Sequence, residues 1–80
     1  MEKLKYIVVK SGSVECAVVF DAILTHNDVA AGLDVVSAGF CYLPDKLNPH
    51  VNAWGNSVSL QMANREQDAG LIERAIGSVR

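Results

Sequence analysis

The sequence predicts an α+β domain in the order ββαββα, a four-stranded, mainly antiparallel sheet with two helices on one face. Three observations predict it. Residues 4–20 alternate in the manner of a hairpin around Ser11-Gly12-Ser13. Residues 35–43 and 51–62 are two apolar runs joined by a polar link that carries Pro44 and Pro49. Residues 65–78 carry an apolar stripe at helical spacing.

Residues 4–10 are rich in β-branched and aromatic side chains, which suit a pleated, half-buried surface. Ser11-Gly12-Ser13 turns the chain, and residues 14–20 resume the strand character. Val14, Cys16, Val18 and Phe20 fall on one face, and Glu15, Ala17 and Val19 on the other. Thr25-His26-Asn27-Asp28 has the form of a capping box, opening a short helix over about 26–32 that Gly32 ends. So short a helix depends on the packing of Val29, Ala30 and Leu33.

The third strand, 35–43, holds Ser37-Ala38-Gly39, small residues that admit a close neighbour such as a helix, a ligand or a second chain. Pro44 and Pro49 remove backbone donors and stop the pairing. In the fourth strand Val58, Leu60 and Met62 point one way and Ser57, Ser59 and Gln61 the other. Gly55-Asn56 marks a bulge or break that resets the facing. The strands 35–43 and 51–62 are expected to pair as the middle of the sheet. Asn64 is placed to cap the last helix, over about 65–78, with Glu66 and Asp68 near its positive end and Arg74 towards its negative end. Ala69, Leu71, Ile72, Ala75, Ile76 and Val79 form its apolar stripe, and Gly77 weakens its last turn.

Eighty residues make a single small domain, 1–80, that buries only about 60% of its unfolded surface. Half of the residues are hydrophobic, which is high for so small an interior. The surplus points to an apolar face buried against a partner, since obligate homodimer interfaces resemble a core cut in half. The expected partner is a second copy, with another protein as a further one. The formal net charge is −2, and the only basic cluster, Lys3, Lys5 and Lys10, is flanked by Glu2 and Glu15. That pattern excludes the dense positive footprint of a nucleic-acid binder. No apolar run approaches the roughly 20 residues that span a bilayer, and no basic-then-apolar leader is visible. A cytoplasmic protein with reduced thiols is expected.

Cys16, Cys41, His26 and His50 are singletons rather than the close pairs that structural zinc sites use, so no metal site is expected. They read instead as core cysteines and surface histidines. His26 with Asp21 or Asp28 lacks a serine in a nucleophile elbow, so no catalytic set is recognised and no cofactor is expected. Phe40 and Tyr42 share a strand face and can join Trp54 across a ladder. With His50 and Asn56 these residues form the candidate interface or ligand surface, with Trp54 either in the core or at the interface. The leading expectation is a non-enzymatic, homo-oligomeric interaction protein. The alternative is a small-molecule binding module that uses the gap at residues 37–39 beside Trp54.

Four segments carry a likeness: His26-Asn27-Asp28-Val29-Ala30, Val36-Ser37-Ala38-Gly39-Phe40, Trp54-Gly55-Asn56-Ser57-Val58-Ser59-Leu60 and Arg65-Glu66-Gln67-Asp68-Ala69-Gly70-Leu71-Ile72. In them the chain resembles small uncharacterised proteins encoded by phages and prophages. The likeness covers about half of the chain and implies a small cytoplasmic accessory protein of mobile DNA, with no activity or site residues attached.

Overall fold

Strand β1 (Leu4–Ser11) and strand β2 (Val14–Asp21) form the expected hairpin. Ser11 faces Val14 across Gly12-Ser13, and Gly12 sits at φ +64°. A glycine with positive φ at the first central position is what a type II′ hairpin turn requires. The computed structural model describes residues 3–44, 46, 47, 49–58 and 60–76.

Helix α1 (His26–Ala30) follows, with the Thr25 hydroxyl accepting the Asp28 N–H at 3.1 Å as the capping motif requires. It is shorter than the 26–32 expected, because the backbone leaves the helix at Ala31 and Gly32 takes φ +77°. Val29 and Ala30 pack inward, but Leu33, expected to hold the helix, is 49% exposed. Strand β3 (Val35–Tyr42) then pairs antiparallel with β1, not with β2. The link through α1 therefore carries the chain across β1.

Strand β4 (Asn52–Trp54) pairs with β3, and the sheet order is β2-β1-β3-β4. The sheet is antiparallel and four-stranded, as expected, but its middle is β1 with β3. The pair formed by 35–43 and 51–62 lies towards one edge. The run 51–62 is also not one strand. Gly55 takes φ +80° and ends β4, and a side chain there would meet the Phe40 ring at 2.9 Å. Strand β5 (Asn56–Ser57) and strand β6 (Met62–Ala63) then form a separate small ladder, with Gln61 at φ 56° in the turn between them. Val58 sits in that turn and is 84% exposed, so its alternation with Leu60 and Met62 does not mark one buried face.

Helix α2 (Asp68–Ala75) is shorter than the 65–78 expected. Residues 65–68 form a turn, with the Asp68 N–H on the Arg65 carbonyl oxygen at 3.0 Å. The N-cap position belongs to Gln67, and Asn64, expected there, donates its N–H to the Gly55 carbonyl oxygen instead. Gly77 and Val79 lie outside the described residues.

The two helices do not share a face. Tyr6 and Val8 belong to one core cluster, with Ala17, Cys41, Val51 and Ile72, against which Ala69 and Leu71 of α2 pack. Ile7 belongs to another, with Ala30 of α1 and Ala38, joined by Val18, Phe20, Leu60 and Met62. Successive residues of a strand point to opposite faces, so α2 covers one face while α1 and the β5–β6 ladder cover the other. The reason is legible in β1: Tyr6, Ile7 and Val8 are all fully buried, and a strand apolar on both faces demands cover on both. The face expected to remain for a dimer is thus covered by the chain itself.

The gap at residues 37–39 is filled in the same way. A methyl group at Gly39 would stand 2.5 Å from the Trp54 carbonyl oxygen and 3.2 Å from the Tyr6 ring. Gly39→Ala is therefore expected to lower stability by about 1–3 kcal/mol through overpacking. Gly70→Ala, in α2 with open space around it, should raise stability by up to about 1 kcal/mol. Urea unfolding of both variants checks the pair; a tolerated Gly39→Ala would show that the packing there gives way.

Candidate functional site

The aromatic residues singled out in the sequence form a continuous row. Phe40 faces Trp54 across the β3–β4 ladder, with ring centroids 6.2 Å apart. Tyr42 lies 4.7 Å from Trp54 on its other side. His26 stands edge-on to Phe40 and to Phe20, at 5.6 Å from each, and the Lys3 ammonium lies 5.0 Å above the Phe40 ring. Phe40, Tyr42 and Trp54 are all half-buried, so the row seals the rim of the sheet rather than standing out from it. His50 and Asn56 are exposed, and Asn56 pairs with Ala63 in the β5–β6 ladder.

His26 is not a surface histidine. It is 5% exposed, and its Nε2 donates to the Gly39 carbonyl oxygen at 2.8 Å. A carbonyl only accepts, so the bond sets the proton on Nε2. The cysteines also divide: Cys41 is buried, while Cys16 is exposed on β2, and neither is in a disulfide. Burial pushes the Cys41 thiol up to about 11. Among the described residues no group of three or more His, Cys, Asp or Glu side chains is placed to hold a metal.

The most constrained polar cluster lies under α2. Asp68 is fully buried, and its Oδ2 accepts from the Tyr6 hydroxyl at 2.6 Å and from the Arg65 backbone N–H at 2.9 Å. Its Oδ1 faces Arg65 Nε and Nη2, each at 3.1 Å. The same Arg65 Nη2 donates to Glu15 Oε1 on β2 at 2.8 Å. One carboxylate thus ties β1, β2 and the entry of α2 together, with its lone pairs occupied as a buried charge requires. Burial first, and then the Asp68 hydrogen bond, push the Tyr6 phenol far above its ordinary value. The Arg65 hydrogen bond holds the half-exposed Glu15 carboxyl below the usual carboxylate range. The arrangement holds a proton and a helix in place. It leaves Asp68 no free oxygen face with which to act on another molecule. Ser37 Oγ, beside Val8 at the β1–β3 bulge, is buried with no hydrogen-bond partner among the described residues.

Of the two edge strands of the sheet, β2 and β4, β2 is the longer. Among the described residues no strand pairs with the side of β2 that faces away from β1. Between that strand and α2 lies a groove of about 260 Å³, lined by Val14, Glu15, Cys16, Ala17, Leu71, Arg74 and Ala75. Most of that lining is apolar. Val14, at the start of β2, is 58% exposed.

Sequence reasoning found the aromatic row but missed both the Asp68 cluster and the groove. The Arg65/Asp68 spacing is the one local signal of the cluster. Glu15 and Tyr6 lie 50 and 62 residues away from their partners, and only the fold brings them in. No family model, curated protein or solved structure matches the chain.

Alkaline titration tests the cluster. A raised phenol contributes stability in full below its ordinary value of 10.0, and loses it as pH climbs above that, because the unfolded chain deprotonates first. Cys41, raised from 9.0 to about 11, acts in the same direction from a lower pH. The urea midpoint is expected to fall from about pH 9 upward, and to go on falling above about pH 11 through Tyr6. Tyr6→Phe should cost about 1.5–3 kcal/mol at neutral pH and flatten the fall above about pH 10. An unchanged slope in that variant would show that Tyr6 is not the group being titrated.

Proposed function

We propose that the chain is a non-enzymatic interaction protein that works as a homo-oligomer, a homodimer in the simplest case. The flank built by β2 and α2 carries this reading: a strand edge that no other strand pairs with among the described residues, beside a groove of mostly apolar side chains. Such an edge presents unpaired backbone donors and acceptors, a template for another strand. Ile23, Leu47 and Val58, each at least 84% exposed, add to the apolar surface. Among the described residues no helix is long and apolar enough to cross a membrane. A place in the cytoplasm, as an accessory protein of mobile DNA, rests on the likeness to phage and prophage proteins. The small-molecule alternative draws no support, because Trp54 and Tyr6 already fill the approach to Gly39.

Sedimentation equilibrium is the test. A species of twice the 8.6 kDa chain mass is expected at micromolar concentration. Val14→Lys, at an exposed position of the β2 edge, should weaken the association at least tenfold while leaving the circular dichroism unchanged. A chain that stays monomeric through the micromolar range contradicts the reading.

A further inference from the structure

Resting on the proposal of self-association, we infer that two copies join β2 to β2 antiparallel about a two-fold axis through Ala17, making one continuous eight-stranded sheet. The inference starts from hydrogen-bond parity. Ser11 and Val14 close a two-residue turn and so form a hydrogen-bonded pair, as do Val9 with Cys16, Ile7 with Val18 and Lys5 with Phe20. Glu15, Ala17 and Val19 therefore aim their N–H and C=O groups outward. A partner strand must meet those same positions. For a second copy the need is met reciprocally, because a two-fold interface sets one surface against itself.

Charge then selects the register. β2 is LKYIVVKS's partner strand VECAVVFD, and its only charges are Glu15 and Asp21 near its two ends. An axis through Val18 would set Glu15 directly against Asp21 of the partner copy, twice, and like charges directly opposite are destabilising. An axis through Cys16 keeps that clash away but shortens the ladder into the Gly12-Ser13 turn. With the axis through Ala17, Glu15 faces Val19 of the partner copy and Ala17 faces Ala17. On the other face Cys16 meets Val18, and the exposed Val14 meets Phe20. No lysine, proline or bulge blunts residues 16–20, the devices by which edge strands ordinarily resist such pairing. The groove beside α2 flanks this seam on the face that Glu15, Ala17 and Val19 share.

Cysteine cross-linking reads the register. Cys16 and Val18 of the partner copy would form a non-hydrogen-bonded pair, with Cα atoms about 4.5 Å apart, within disulfide reach. Diagonal neighbours stand about 7–8 Å apart. With glutathione disulfide as the oxidant, Val18→Cys should give a covalent dimer on non-reducing electrophoresis. The native chain, with Cys16 alone exposed, and the Cys16→Ser/Val18→Cys variant should not. Cross-linking of the native chain would move the axis to Cys16, and cross-linking of the double variant would move it to Val18; either result overturns the register. A dimer by sedimentation that no variant cross-links overturns edge pairing and leaves self-association standing. A monomer overturns both.

Discussion

Burial of β1 on both of its faces is the constraint from which the rest of the structure follows. Tyr6, Ile7 and Val8 have no exposed surface, and alternation sends Tyr6 and Val8 one way and Ile7 the other. A single layer of helices would leave one of those faces wet. The chain answers with α2 on one side, and with α1 and the β5–β6 ladder on the other. This takes up part of the apolar surplus of a short chain, while Val14, Ile23, Leu47 and Val58 stay exposed. Two thin cores flank the sheet, and together they take up apolar residues that one core would have left outside.

The same strand anchors the polar part. Tyr6 reaches Asp68 from within the sheet, and Arg65 carries the charge out to Glu15 at the edge. Removing one member of such a set leaves another buried and unmatched, which is why buried pairs are costly to break. The helix that these bonds hold is short and has no side-chain cap at Gln67. Tertiary contacts therefore fix it. Through Glu15 the clamp also reaches β2, the exposed edge strand.

Local chemistry in the sequence accounts for much of this. The β1–β2 hairpin, the Thr25 cap, the span of β3 and the break near Gly55 follow from residue types and short spacings. The Phe40–Trp54 contact followed from shared strand faces. What was not legible depends on which strand lies beside which. The hairpin pattern gives no sign that β3 inserts against β1, and that placement decides both the sheet centre and the need for cover on each face. His26 looked like a surface residue because its acceptor, the Gly39 carbonyl, is a backbone group with no sequence signature. The run 51–62 looked like one strand because alternation survives a turn when polar and apolar residues happen to keep step.

Native-state amide hydrogen exchange tests the two-sided burial of β1 most directly. The account predicts that the amides of Ile7 and Val8, with Ile72 of α2, exchange only through global unfolding and share the slowest rates in the chain. Amides of β4 and of the β5–β6 ladder should exchange faster by local opening. Exchange at Ile7 and Val8 as fast as at Ala53 would contradict a fold built around a strand closed on both faces.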